Sequence, residues 1–217
     1  MKKSSWKNVA AGKLVAAACS ACLSLFTLPA NAIPVLPPIH FGRQAVNFDD
    51  LPNDVSVTYG YGGLGWYNFY TLDPSTLDTA SGYLAGLKSP NNVLVNSSSF
   101  GVSIPSLLPN APAPISYSEI YSTRYAFILG SAYLTAAWND KLQVMVQGYF
   151  NGKLAYTHTY TLSATRPTLV NFPSQPVTDV FFYSAGGTHH SAYADTGTQF
   201  AMDNLTYIML PVHVFLF

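Results

Sequence analysis

Cysteine is nearly absent: Cys19 and Cys22 both lie in an N-terminal apolar run, and nothing after residue 32 carries a thiol. A disulfide framework and a nucleophilic cysteine are therefore excluded from the remainder of the chain. Charge is equally scarce, at 9% of residues against 49% hydrophobic and 14% aromatic, which excludes a disordered tail and a coiled coil. Ten basic and ten acidic residues balance overall, but Lys2, Lys3, Lys7 and Lys13 precede residue 33, so the rest of the chain carries six basic residues and a net charge of −4. Such a balance argues against binding nucleic acid or an anionic membrane by electrostatics. Glu119 is the single glutamate. There is no G-x-S-x-G elbow, no H-E-x-x-H and no D-x-D-x-D-G loop, so no recognisable hydrolase or EF-hand machinery is present.

Secretion is what the N-terminus does indicate. The four lysines lead into residues 14–28 (LVAAACSACLSLFTL), and Ala30-Asn31-Ala32 has small residues at both positions a signal peptidase reads. Cleavage is expected after Ala32, giving a secreted or periplasmic protein. The apolar run of 15 residues is shorter than the ~20 a spanning helix needs. A lipoprotein reading of Cys19 or Cys22 lacks the leucine-like residue expected three positions upstream.

Residues 33–43 form a proline-rich lead-in containing Pro34, Pro37 and Pro38, which suits neither a helix nor an inner strand. Residues 44–208 read as one β-sandwich domain, and residues 209–217 as a hydrophobic tail. No stretch sustains a 3.6-residue period, whereas period-two alternation recurs. Leu142, Val144 and Val146 alternate with Gln143, Met145 and Gln147; Asn151-Gly152 signals a two-residue hairpin; Leu154, Tyr156, His158, Tyr160 and Leu162 alternate with Ala155, Thr157, Thr159 and Thr161. Further strands are expected over Tyr125–Trp138, Pro167–Phe172, Val177–Ser184 and Gln199–Ile208, with loops over Ser103–Ser118 and Ser184–Thr198. The fold class is all-β: an antiparallel β-sandwich, jelly-roll-like.

The stretches Val46-Asn47-Phe48-Asp49-Asp50-Leu51, Gly60 to Phe69 (GYGGLGWYNF), Ser131 to Trp138 (SAYLTAAW) and Phe200-Ala201-Met202-Asp203-Asn204-Leu205 occur in the order seen in a group of secreted bacterial β-sandwich proteins. The chain resembles that group, many of whose members carry PEP-CTERM sorting tails. The resemblance implies an exported jelly-roll-like domain, similar in architecture to carbohydrate-binding modules, in a group mostly without assigned function. This chain departs from it after Tyr207, where IMLPVHVFLF replaces the Val-Pro-Glu-Pro tail.

Two sets of residues are candidates for chemistry. Asp49 and Asp50 end the first strand while Asp203 and Asn204 sit in the last, so the four could gather oxygens around a calcium ion, which takes 6 to 8 hard oxygen ligands. The alternative is an Asx turn at Asp49 and backbone hydrogen bonding by a partly buried Asp203. The glycine-rich segment with Tyr61, Trp66, Tyr67 and Asn68 could present flat rings and an amide to a sugar; the alternative is that Trp66 and Phe69 plug the core. His189-His190 lacks a third ligand at useful spacing and reads as a solvated loop.

The leading expectation is a non-catalytic binding module for a glycan or another extracellular ligand, stabilised by Ca²⁺. The alternative is a structural or adhesive matrix protein that self-associates. A small outer-membrane barrel, suggested by the terminal Val214-Phe215-Leu216-Phe217, sits badly with the prolines and long polar loops.

Overall fold

The computed structural model describes residues 40–96 and 117–211. The expected leader, most of the lead-in, the 103–116 part of the expected proline-rich loop and residues 212–217 lie outside them.

The strands are β1 Gly42–Val46, β2 Gly65–Tyr67, β3 Phe69–Leu72, β4 Val93–Asn96, β5 Ser118–Tyr121, β6 Phe127–Leu129, β7 Ser131–Ala136, β8 Asn139–Asp140, β9 Leu142–Phe150, β10 Lys153–Leu162, β11 Thr168–Asn171, β12 Asp179–Ala185, β13 Thr188–His189, β14 Phe200–Asp203 and β15 Leu205–Met209. One short helix, α1, spans Gly82–Gly86. Two five-stranded sheets form the sandwich, one in the order β11-β7-β14-β4-β3 and the other in the order β10-β9-β12-β5-β2. Every pairing in them is antiparallel. Taken in chain order, β4, β7, β11 and β14 go to the first sheet and β5, β9, β10 and β12 to the second. Last strands insert beside first ones, which is the wound order of a jelly roll. A smaller sheet, β1-β15-β6, and the two-residue pair β13-β8 complete the domain.

The expected hairpin is present. Asn151 and Gly152 take φ of 49° and 75°, the left-handed pair a type I′ turn requires, and β9 and β10 run in register from there to Leu142↔Leu162 with one shift between Leu154 and Tyr156. That shift turns Leu154 out to 55% exposure while Tyr156 is buried.

Two asparagines divide the chain between sheets, for the same physical reason. Asn68 (φ 62°) separates β2 from β3, and Asn204 (φ 52°) separates β14 from β15. Asparagine tolerates the left-handed region, and at each break the chain leaves one sheet for another. The expected strand Gln199–Ile208 is thus two strands in two sheets. The Tyr125–Trp138 block likewise divides at Gly130 into β6 and β7. Within the expected loop 184–198, Thr188–His189 pairs with Asn139–Asp140.

The core fills the space between the sheets. Phe69 and Phe200 come from the first sheet and Phe182 from the second, with ring centroids 5.8 Å (Phe69–Phe182), 6.1 Å (Phe182–Phe200) and 6.4 Å (Phe69–Phe200) apart. All three are at most 1% exposed, and burying such a ring contributes about 1.5–3 kcal/mol.

Candidate functional site

The glycine-rich segment does not form one binding loop. Tyr61 lies in a single 3-10 turn, and its hydroxyl donates to Asp50 at 2.7 Å. Trp66 is buried at 6% exposure, its ring against Phe48 and Phe69, its Nε1 donating to the Tyr61 carbonyl at 2.9 Å. It therefore occupies the core alternative. Asn68 occupies the corner described above, where its Nδ2 donates to the Tyr117 carbonyl at 2.9 Å and its own carbonyl accepts from Ser118 Oγ at 2.8 Å. Only Tyr67, 54% exposed, presents its ring to solvent.

The four oxygen-bearing residues are likewise distributed over separate tasks. Asp203 has no exposed surface. Its carboxylate accepts from the backbone amides of Lys88 (2.7 Å), Ser89 (2.9 Å) and Asn204 (2.6 Å) and from Ser89 Oγ (3.0 Å). Burial raises its pKa while these four donors pull it back down. Asp49 accepts from the amide of Asn92 at 3.2 Å, and Asp50 takes the Tyr61 hydroxyl. Asp203 and Asp49 thus pin the two ends of one short segment, residues 88–92. Among the described residues no group of three or more His, Cys, Asp or Glu side chains is placed to hold a metal ion.

Rings and carboxyls do come together on the outer face of the β10-β9-β12-β5-β2 sheet. Val180 and Phe182 of β12 point into the core, so alternation turns Asp179, Phe181 and Tyr183 outward. The same logic turns out Glu119 and Tyr121 of β5, Gln147 and Tyr149 of β9, and Tyr67 of β2. Register then sets the neighbours: Tyr67↔Glu119, Glu119↔Phe181 and Phe181↔Gln147 form one row, and Tyr121↔Asp179 and Asp179↔Tyr149 the next. Tyr117 packs across the first row, its ring centroid 5.5 Å from Tyr67, 5.1 Å from Phe181 and 6.1 Å from Tyr183. Tyr149 meets Phe181 edge-on at 5.4 Å. At the β2 edge the Tyr121 ring lies over Gly65, where a Cβ would fall 2.4 Å from its Cζ. Any larger residue there would lift that ring off the sheet.

Glu119 and Asp179 stand diagonally across β5 and β12, in adjacent rows of this face. Burial, then the Asp179 charge and the shared hydrogen bond, raise Glu119 from 4.5 to about 7. The Thr178 hydroxyl donates to Asp179 Oδ2 at 2.5 Å. Burial, followed by Tyr149, Tyr117 and Glu119, pushes the Tyr183 hydroxyl up to about 12. The sequence pattern did hold a signal for this face. If Val180 and Phe182 point inward, then Phe181 and Tyr183 occupy the outward positions, where polar residues are usual.

Fold and face together define a class, a jelly-roll β-sandwich with an aromatic, acid-bearing outer sheet. No family model and no curated protein matches the sequence. Among solved structures the chain is similar to a DUF4465 family protein from Bacteroides caccae ATCC 43185, at 12% identity and a TM-score of 0.45 over 78% of this chain and 87% of that one. A DUF4465 family protein from Bacteroides ovatus ATCC 8483 matches at 11% identity and a TM-score of 0.40, over 80% of this chain and 96% of that one. An arabinose-bound α-L-arabinofuranosidase, MgGH51, matches at 11% identity and a TM-score of 0.44, over 78% of this chain and 26% of that one.

Proposed function

We propose that this chain is an exported, non-catalytic binding module that takes a glycan on the outer face of the β10-β9-β12-β5-β2 sheet. The observation that carries the reading is the row Tyr67, Glu119, Phe181, Gln147 with Tyr117 lying across it: half-exposed rings interleaved with hydrogen-bonding groups. Sugars present apolar C–H faces and hydroxyl edges, and a flat array of this kind meets both. The rings also lean on one another, so little side-chain entropy is lost on binding. Export is supported by the secretory pattern at residues 1–32 and by the resemblance to secreted bacterial β-sandwich proteins. Calcium held by Asp49, Asp50, Asp203 and Asn204 is the reading that competes with their hydrogen-bonding roles, and melts of wild type and Asp203→Ala in EDTA and in calcium decide between the two.

A glycan array with the protein purified after export, followed by calorimetry on the best ligand, tests the reading. Tyr67→Ala and Tyr117→Ala are each expected to weaken binding by about tenfold, the scale of one lost stacking ring, with the melting temperature nearly unchanged for Tyr67→Ala. Unaltered affinity in both variants would remove the site from this face.

One observation favours the adhesive alternative. The edge strand β10 is ten residues long with Lys153 as its single charged residue, an unguarded edge that a second copy could extend. Concentration-dependent oligomers in light scattering, without glycan binding, would establish that reading instead.

A further inference from the structure

The outer face carries acidic groups that no basic side chain among the described residues answers. Glu119 and Asp179 sit among Tyr67, Tyr117, Tyr121, Tyr149 and Phe181, and among the described residues neither carboxyl has an ion-pair partner, the only such pair being His190–Asp140 at 3.8 Å. An acid pair drawn partly out of water without a counter-ion is costly, and a ligand that brings a positive charge relieves that cost. Around the pair stand the electron-rich faces of aromatic rings, which attract a cation more strongly than a neutral group. The side chains facing the pair are Tyr67 from β2, Tyr117 just before β5, Tyr121 from β5, Gln147 and Tyr149 from β9, Thr178 just before β12, and Phe181 and Tyr183 from β12. None is a base.

We propose that the glycan taken by this face is a cationic one, an amino sugar whose ring stacks on Tyr117 and Phe181 and whose ammonium group pairs with the carboxyls of Glu119 and Asp179. This rests on the glycan reading of the same face and adds the charge of its ligand. The rings supply stacking to any sugar; the pair selects the sugar that brings the missing positive charge, since an N-acetylated unit offers the carboxyls only a neutral amide. Charge complementarity extends beyond the contact, because the chain after residue 32 is net acidic and attracts a polycation at low salt.

The test compares glucosamine oligosaccharides with their N-acetylated counterparts of equal length, by calorimetry at pH 6, where the sugar amine is protonated. The amino form is expected to bind about tenfold more tightly, with the preference shrinking in high salt. Glu119→Gln, which keeps the shape of the side chain but carries no charge, is expected to lose the preference. Its melting temperature checks that it folds, and Asp179→Asn provides a second, independent removal of charge. Equal binding of both oligosaccharides, or a preference that survives in both variants, would overturn the cationic ligand while leaving the glycan reading standing. Binding of neither, nor of any neutral glycan on the array, would overturn both. Release of reducing ends from either oligosaccharide, abolished in Glu119→Gln, would make the pair catalytic and overturn the binding role.

Discussion

Replacing Asp203 by Ala is expected to lower stability by about 3–5 kcal/mol, the cost of stranding several buried donors at once. Three backbone amides and one hydroxyl converge on this carboxylate, and no water can reach a side chain with no exposed surface. For a domain of this size that loss is a fall in melting temperature on the order of 10 °C. The damage should be local in origin: segment 88–92 loses its hold on β14, while Asp49 still holds the amide of Asn92. Thermal unfolding of wild type and Asp203→Ala, each in EDTA and in calcium, checks the assignment. The expected result is the same large fall in both solutions. If instead calcium raised the wild-type melting temperature and the rise vanished in Asp203→Ala, these oxygens would be metal ligands, since a ion bound only by the native state must stabilise it.

Much of the sandwich is written locally, and the site is not. The β9–β10 hairpin can be read from period-two alternation on either side of Asn151-Gly152, because both signals act within a few residues. The burial of Asp203 is also readable, but its surroundings are not, because Asn204 sends Leu205 and Tyr207 into another sheet. Where the glycine-rich segment is concerned, composition misled. It gathers aromatic residues between 59 and 70, but Trp66 and Tyr67 are consecutive in a strand, so only one of them can face outward. The acid pair was beyond reach, because β6 to β11 lie between Glu119 and Asp179 in sequence. Only the register that puts Tyr121 beside Asp179 and Glu119 beside Phe181 makes them neighbours, and single-sequence reasoning does not fix register between distant strands.

That sidedness leads to a paired prediction on consecutive residues of β12. Phe182→Ala is expected to cost about 3–5 kcal/mol, because the ring is lost from a core it shares with Phe69, Phe172 and Phe200 and the two sheets cannot close on the void. Phe181→Ala removes a ring of the same size from the other side of the strand, where it touches Tyr117 and Tyr149 and no core residue. There the expected cost is on the order of 1 kcal/mol, since no closed cavity forms and solvent fills the space. Binding should show the reverse order. Phe182→Ala, assayed well below its lowered melting temperature, keeps the outward row and with it most of the affinity, whereas Phe181→Ala breaks the row between Glu119 and Gln147. A loss of about tenfold or more is expected there, since Phe181 is the ring nearest the centre of the face. Denaturant melts alongside calorimetry for both variants decide the matter. If Phe181→Ala cost stability and spared binding, the outer face would be packing surface, and the ligand would have to be sought elsewhere on the molecule.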